Sequence, residues 1–350
     1  MRIAVIPGDG IGPEVISAAV SALDVLDSMF GLGTELTTFD WGADKWIAEG
    51  VGLPAGALQM LQRDFDYILF GALGDPRIPD MAHGREILLG MRRGLSLRVN
   101  YRPLYMPDHT IDLYRENTQG EYVGVGGRIE SSGLVDVAID QCIYTRDAVT
   151  RFLAYSLADA VAKGRHTATL VHKANAIPNT GALWQDVFWT EIGKHPSLHG
   201  TEEYVDSFCY NLIDDPRRYE AVVLPNLFGD IAADLGAFLV GGMGMVPSAS
   251  ISPETGFGLF EPVHGSAPDI VGTGTANPFA ATMCVVLLLK HAGRSDAATA
   301  LRECLELCAA SPAATPDLGG QGTTQSFIDA VLAQLTERSD DTPQHRAAER

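Results

Sequence analysis

Two aspartates spaced four residues apart stand out in the stretch 226–236, which reads NLFGDIAADLG. Asp230 and Asp234 follow the apolar, strand-like run 221–224, and their spacing would place both carboxylates on one face of a helix. Such a pair can offer oxygen ligands to a hard divalent cation. Two acids at this spacing are nevertheless more typical of a solvated helix face. The metal interpretation therefore depends on the other reactive groups in the chain.

Several arginines could complement an acidic substrate. One face of a predicted α-helix carries Arg85, Leu88, Leu89 and Arg92. Arg102 lies on the predicted strand 97–105, and Arg115 opens the segment RENTQGEY. Guanidinium groups bind carboxylates through two parallel hydrogen bonds, so several converging arginines suit a di- or tricarboxylate. The alternative is that they are surface residues paired with the many acids of the chain.

The composition excludes some classes of function. The 350 residues include 44 acids and 25 bases, for a net charge of −19, which argues against a nucleic-acid partner. The five cysteines are odd in number and form no CxxC pair, so we expect reduced thiols and no zinc site. Residues 1–7 resemble a strand rather than a signal peptide, and no apolar run is long enough to cross a bilayer. We expect a cytoplasmic protein without a membrane partner.

Short apolar runs alternate with amphipathic segments of helical length, which predicts an α/β fold. The predicted strands are 2–6, 35–39, 67–70, 97–105, 112–115, 168–172 and 221–224. The predicted helices are 13–30, 54–62, 147–163, 180–194, 202–213, 276–291, 297–310 and 324–337. Residues 122–144, with a polar break at 130–133, favour a β-hairpin or arm. The polar residues 339–350 are predicted to form a flexible tail.

Glycine clusters give only weak signals for a nucleotide. Residues 7–12, PGDGIG, lie between a strand and a helix but lack the glycine placement of the dinucleotide fingerprint. A phosphate-binding loop ending in Lys-Ser or Lys-Thr is absent from the sequence. Residues 260–274 have no clear periodicity, so we predict a long loop that either binds a ligand or only connects two elements.

Five segments together resemble the β-decarboxylating dehydrogenases, the family of isopropylmalate, isocitrate, homoisocitrate, tartrate and D-malate dehydrogenases. In chain order they read PGDGIGPEV from residue 7, MRRGLSLRVNYRP from 91, RENTQGEY from 115, NLFGDIAAD from 226 and EPVHGSAPDI from 261. The resemblance covers about residues 1–335 in the expected order, so it is highly specific. Residues 115–128 and 315–325 are most similar to the tartrate and D-malate branch.

The resemblance implies a two-domain, isopropylmalate-dehydrogenase-like fold with a central mixed sheet flanked by helices. Residues 1–98 and 245–338 would form the large cofactor-binding domain. Residues 99–244 would form the small domain, with the dimerisation helices and the β arm. A homodimer with shared active sites is also implied.

The resemblance also assigns roles to individual residues. Lys173 matches the base that takes the hydroxyl proton, and Tyr122 matches the acid that protonates the enol carbon. The residues that match the substrate clamp are Arg92, Arg102 and Arg115, with Leu88, Leu89 and Arg85 in the segment that contacts the substituent. The residues that match the Mg²⁺ or Mn²⁺ ligands are Asp206, Asp230 and Asp234. Asp206 and Lys173 would act in the site of the neighbouring subunit.

NAD is the cofactor that the resemblance implies, because Asp269 stands where the family's NAD enzymes carry an acid. A carboxylate there would bind the adenosine ribose and repel a 2′-phosphate. The matching cofactor residues are His264, Gly265, Ser266, Ala267, Ile270, Asn277 and Asn175, with Gly71 and Ala72 on the nicotinamide side. K⁺ is a further candidate ion.

We therefore expect NAD- and metal-dependent oxidative decarboxylation of D-malate, tartrate or a 3-substituted malate such as 3-isopropylmalate. Arg85 stands where isopropylmalate enzymes commonly carry Glu, so the alternative is an isocitrate-, homoisocitrate- or phosphonate-malate-type enzyme in which Arg85 contacts an anionic substituent. Arg85 could instead pair with Glu86 or with another acid. Two other hypotheses are a non-catalytic regulatory homologue and, from the residues alone, a Mg²⁺-dependent phosphohydrolase that uses Asp230 and Asp234.

Overall fold

The computed structural model describes residues 1–130 and 136–341, which divide into two compact units. Unit 1 comprises Met1–Met91, Gly241–Ala249 and the chain from Phe257 onward. Unit 2 comprises Arg92–Val240 and Ser250–Gly256. In both units helices alternate with strands that pair mostly in parallel, which confirms the predicted α/β class. The cofactor and dimerisation roles of the two predicted domains stay predictions.

The first segment of unit 1 builds a parallel sheet. Its elements are β1 (Arg2–Gly8), α1 (Gly12–Phe30), β2 (Glu35–Thr38), α2 (Ala43–Glu49), α3 (Ala57–Asp64) and β3 (Tyr67–Ala72). β1 pairs in parallel with both β2 and β3, and its apolar run Ile3–Ile6 is buried, as expected of a strand covered on both faces. The short helix α2 was not predicted.

The segment that carries the predicted leucine pair is not a continuous α-helix. It consists of α4 (Ala82–Gly84), a π-helical turn (Arg85–Leu89) and α5 (Gly90–Gly94). The prediction of one α-helical face from residue 85 to residue 92 is therefore wrong, because a π-turn advances by fewer degrees per residue. Ile87 is buried, Leu88 and Leu89 are half-buried, and Arg85 is exposed.

Unit 2 has a mixed sheet covered by helices. Its strands are β4 (Val99–Met106), β5 (His109–Glu116), β6 (Gly126–Glu130), β7 (Asp136–Asp140), β8 (Thr167–His172), β9 (His199–Tyr204) and β10 (Ala221–Leu224). Its helices are α6 (Arg146–Ala162), α7 (Pro178–Ile192), α8 (Val205–Asp214) and α9 (Asn226–Leu239). The sheet order is β4–β5–β10–β8–β9, in which β4 and β5 are antiparallel and the other pairs are parallel.

The predicted β arm is confirmed for the residues that the structure describes. β6 and β7 form an antiparallel ribbon from Gly126 opposite Asp140 to Glu130 opposite Asp136, and every residue of the two strands is exposed. The predicted polar break includes Ser131, Ser132 and Gly133, which lie outside the described residues.

The predicted helix 202–213 begins too early. Glu202, Glu203 and Tyr204 complete β9 and pair in parallel with Leu170, Val171 and His172 of β8. The helix starts only at Val205, so Asp206 lies in its first turn. Pairing with β8 therefore outweighs the local preference of these residues.

The remaining elements are β11 (Pro247–Ile251), β12 (Gly258–Pro262), α10 (Phe279–His291), α11 (Ser295–Ala309) and α12 (Thr324–Asp341). β12 pairs in parallel with β3, so residues 260–262 belong to a strand and the predicted loop begins after them. The predicted tail 339–350 is helical to Asp341, and 342–350 lie outside the described residues. In the part of the chain that the structure covers, no helix is both long enough and apolar enough to cross a membrane.

Candidate active site

The two aspartates of the motif lie on α9, as predicted. The side chain of Asp230 is 33% exposed and that of Asp234 is 49% exposed. Gly229 brings this helix close to β5, because a Cβ atom at Gly229 would lie only 2.7 Å from Cβ of Arg115. The helix and the arginine therefore pack without an intervening side chain.

Arg115 and Arg102 project from neighbouring strands toward these carboxylates. Arg115 is 1% exposed and donates from Nη1 to Oδ1 of Asp230. Arg102 is 8% exposed, and its Nη2 lies 3.4 Å from Oδ1 of Asp230 and its Nη1 3.8 Å from Oδ1 of Asp234. Arg92 is also buried. The interpretation of these arginines as surface residues is therefore wrong for all three.

Two asparagines that sequence reasoning missed hold the guanidinium groups in place. Oδ1 of Asn226 accepts hydrogen bonds from Nε and Nη2 of Arg115, at 3.0 and 2.7 Å. Oδ1 of Asn100 accepts one from Nε of Arg102, at 2.7 Å. Asn226 is the first residue both of α9 and of the motif NLFGDIAAD, four residues before Asp230, and that position is the signal that could have identified it.

The charges of this cluster are coupled. Burial lowers the pKa of Arg115, and the neighbouring Arg102 and Arg92 lower it further. Burial alone would raise the pKa of Asp230, but Arg115 and Arg102 more than offset it, so the pKa of Asp230 lies below its usual value. Burial raises the pKa of Asp234, and repulsion from Asp230 adds to the shift against the opposing effect of Arg102. The net shift of the pKa of Asp234 is upward because burial outweighs the opposing effect of Arg102.

Tyr122 joins the same cluster. Its hydroxyl donates to Oδ2 of Asp230 at 2.7 Å, and the guanidinium carbon of Arg115 lies 5.2 Å from its ring centroid. Burial raises the pKa of Tyr122, and the hydrogen bond to Asp230 raises it further. The phenol thus stays protonated beside the carboxylates, as a general acid must before it donates, although the raised pKa makes it a weaker acid.

Lys173 and Asp206 form a second cluster. Lys173 follows β8 and donates from Nζ to Oδ1 of Asp206, and this hydrogen bond lowers the pKa of Asp206. Among the described residues, no three His, Cys, Asp or Glu side chains are arranged to hold a metal ion. Within one chain Asp206 therefore does not complete a ligand set with Asp230 and Asp234.

Most of the predicted cofactor residues of unit 1 lie in the loop that follows β12. The carbonyl of Ser266 accepts a hydrogen bond from the Ile11 amide at 2.9 Å, and a Cβ atom at Gly10 would lie 2.0 Å from that carbonyl oxygen. Asp269 is exposed in a short 3₁₀ turn, Pro268–Ile270, that follows Ala267. The glycines of residues 7–12 are thus explained in part by close backbone packing.

His264 carries a buried atom without a protein partner. Its Nδ1 lies 3.0 Å from the carbonyl of Gly265, whereas its Nε2 is buried and has no hydrogen-bond partner in the described parts of the chain. Burial lowers the pKa of His264, which favours the neutral ring. A neutral imidazole with an unused nitrogen fits a polar heterocyclic ligand.

Other predicted cofactor residues already have structural roles. Asn277 donates to Asp317 at 2.9 Å. Gly71 lies in β3 and approaches β1 so closely that a Cβ atom would lie 1.9 Å from the Pro7 carbonyl oxygen. The carbonyl of Ala72 accepts a hydrogen bond from the Asp9 amide. Asn175 is exposed in the turn after β8.

Arg85 pairs with Asp80 rather than with Glu86. It donates to the carbonyl of Asp80, and its Nη2 lies 3.2 Å from Oδ2 of the same residue. Both side chains are largely exposed, so this pair contributes little stability and can rearrange. Glu86 instead accepts hydrogen bonds from the amides of Gly52 and Leu53.

Comparisons with known proteins give a consistent result. The family model for isocitrate/isopropylmalate dehydrogenase matches residues 2–331. The 3-isopropylmalate dehydrogenase of Thermobifida fusca is 40% identical over 312 residues, 85% of this chain and 88% of that protein. A probable tartrate dehydrogenase/decarboxylase of Agrobacterium vitis is 37% identical over 351 residues, 95% of this chain and 97% of that protein. The crystal structure of isocitrate dehydrogenase from Methylococcus capsulatus aligns with a TM-score of 0.85 at 31% identity, covering 95% of this chain and 99% of that one.

Proposed function

The chain belongs to the isocitrate/isopropylmalate dehydrogenase family, and from that premise we propose that it oxidises and decarboxylates a (2R)-malate-type 2-hydroxy dicarboxylate. The products would be a 2-keto acid, CO₂ and NADH. Homologues of the chain are decarboxylating dehydrogenases, so the protein is an enzyme of this class. The observation that carries the substrate class is the cluster of buried arginines, which would bind two carboxylates.

The chemical steps follow from the side chains. Lys173 would take the proton of the substrate hydroxyl while C2 gives its hydride to NAD⁺. The bond from C3 to the β-carboxylate then breaks, its electron pair moves toward the C2 carbonyl, and CO₂ leaves. Tyr122 would then give a proton to C3 of the resulting enolate, which restores the C2 carbonyl of the 2-keto acid product. Arg102 and Arg115 would hold the two substrate carboxylates until CO₂ leaves, and would thereby fix the geometry of hydride transfer and of decarboxylation.

A divalent cation fits the residues present. Asp230 and Asp234 supply hard oxygen donors from the same helix, α9. When bound, Mg²⁺ or Mn²⁺ would act as a Lewis acid toward the substrate oxygens. A substrate carboxylate could then replace Asp230 as the hydrogen-bond acceptor for the guanidinium groups of Arg102 and Arg115.

NAD fits the unit 1 residues. The unused Nε2 of His264 suits the adenine end, and the exposed carboxylate of Asp269 suits a free ribose diol rather than a 2′-phosphate. The other residues assigned to the cofactor by resemblance stay part of this proposal.

We also propose a homodimer in which each site takes Lys173 and Asp206 from the partner. Large apolar side chains on α8 and α9 support it, because Tyr210 is 69% exposed and Phe238 is 78% exposed. The separation of Asp206 from the Asp230–Asp234 pair within one chain agrees with such sharing. The exposed β6–β7 ribbon would contribute to the same interface. A cytoplasmic location stays a prediction from composition.

The relatives of the chain narrow the range of candidate substrates, since they include 3-isopropylmalate dehydrogenases and probable tartrate dehydrogenases. The second candidate is a malate with an anionic 3-substituent, as in isocitrate, homoisocitrate or a phosphonate-bearing malate. Arg85 supports it, because this exposed cation forms an exposed ion pair with Asp80 that a substrate can replace. The test is NADH formation with Mn²⁺ and K⁺ across D-malate, tartrate, isopropylmalate, isocitrate and homoisocitrate. Turnover of one of them supports the proposal. Absence of turnover with all five, together with no binding of NAD⁺, contradicts it.

A further inference from the structure

The carboxylate of Asp9 connects three separate segments of unit 1. Its Oδ1 accepts a hydrogen bond from the amide of Ala43, at the start of α2, at 2.7 Å. Its Oδ2 accepts one from the amide of Gly74, just after β3, and lies 2.9 Å from Nε2 of His83. The Asp9 side chain is 5% exposed, so these hydrogen bonds replace water.

His83 is the side-chain member of this connection and is fully buried, with 0% exposure. Since the carboxylate of Asp9 can only accept, Nε2 of His83 carries the hydrogen of their bond. Loss of a hydrogen-bond donor from a buried carboxylate is costly, so His83 and Asp9 hold each other in place.

The position of His83 in the chain gives this bond its significance. It lies in α4, two residues before the π-helical turn Arg85–Leu89. Ile87 fixes the turn on its buried side, and Glu86 holds the amides of Gly52 and Leu53. The remaining side chains of the turn, Arg85, Leu88 and Leu89, are exposed or half-buried and are the ones assigned to the substrate substituent.

We propose that His83 is a positioning residue that sets substrate selection. Through Asp9 it fixes the turn that carries Arg85, Leu88 and Leu89 relative to Gly74, two residues after the end of β3. π-Turns within helices depend on local packing, and small displacements at a binding surface have large effects on rate. This inference rests on the proposed function, since the turn selects a substituent only if a 3-substituted malate binds there.

The test compares two variants of the full-length protein. His83→Gln keeps an N–H donor for Asp9, whereas His83→Met fills similar space without one. His199→Met, at an exposed position in β9, is the matched control. kcat and KM are measured with D-malate and with the best 3-substituted malate, and hydrogen–deuterium exchange is followed for peptides covering 82–94.

We expect His83→Met to lower kcat/KM for the substituted malate by about tenfold or more, chiefly through KM, with D-malate within about threefold of the wild type. Amides of 82–90 should exchange faster, while those of α9 stay unchanged. His83→Gln and the control should behave as the wild type. Equal losses on both substrates, or a Gln variant as impaired as the Met variant, would overturn the inference.

The exchange measurement separates the two proposals. If the wild-type protein oxidises none of the malates and binds no NAD⁺, the proposed function fails. In that case, faster amide exchange of residues 82–90 in His83→Met, but not in His83→Gln, would still show that His83 anchors the turn. Unchanged exchange in His83→Met would overturn the inference.

Discussion

Tyr122 donates a 2.7 Å hydrogen bond to Asp230, the same carboxylate that accepts from Arg115. Tyr122→Phe removes the phenolic proton while keeping the ring that lies near Arg115. We expect kcat to fall by about 10²- to 10³-fold, because general acid catalysis at the enol is lost. Steady-state NADH formation measures this, with Tyr155→Phe on α6 as the control. A variant that keeps most of its kcat would contradict the role of Tyr122.

Asp234→Asn should weaken metal activation. The variant keeps the shape of the side chain but loses the charge that would hold the cation, so the Mn²⁺ concentration for half-maximal rate should rise by about 10- to 100-fold. Titration of the rate with Mn²⁺ measures it, and a thermal shift with Mn²⁺ gives a second readout that does not depend on turnover. Asp214→Asn, at an exposed position on α8, should titrate like the wild type.

Mixed dimers test whether sites are shared between subunits. Lys173→Met and Tyr122→Phe should each be nearly inactive alone. In a mixed dimer, one site would take an intact Tyr122 from one chain and an intact Lys173 from the other. A statistical mixture should therefore recover about a quarter of the wild-type activity. If each site were built from one chain, no mixture would recover activity.

Asp269→Lys should change the preferred cofactor. The added charge would attract a 2′-phosphate, and the lost carboxylate would no longer bind the ribose, so the NADP⁺/NAD⁺ ratio of kcat/KM should rise by about 10- to 100-fold. Initial rates with each cofactor measure the ratio. Asp296→Lys makes the same charge change elsewhere on unit 1 and should leave it unaltered. An unchanged ratio in the Asp269 variant would mean that another residue selects NAD.

Arg85→Glu tests whether Arg85 contacts the 3-substituent of the substrate or only stabilises the fold. If Arg85 contacts an anionic 3-substituent, kcat/KM for isocitrate should fall by about tenfold or more, while D-malate stays within about threefold. Arg77→Glu is the control, because Arg77 is also exposed and paired with nearby acids. Equal loss on all substrates would contradict the contact.

Most strands and helices could be predicted from the sequence because each is encoded by the pattern of apolar residues within its own segment. The strand Ala221–Leu224 has the predicted bounds, since a short buried apolar run has few alternatives. β9 was missed because only its pairing with β8 makes Glu202–Tyr204 extended. The π-helical turn has no sequence signature of its own. In the site, the spacing of Asp230 and Asp234 correctly predicted that both lie on one helix. The hydrogen bonds from Arg115 to Asn226 could not be predicted in this way, because the two residues are 111 positions apart in the chain.

The discontinuity of unit 1 has a consequence for synthesis on the ribosome. Most of unit 2 is a single stretch, Arg92–Val240, whereas unit 1 needs residues from Met1 and from beyond Phe257. β3 cannot pair with β12 until β12 has been synthesised, and β12 follows β3 by more than half the length of the chain. We therefore expect unit 2 to begin folding first during translation, while the N-terminal strands remain exposed to chaperones until the last third of the chain emerges.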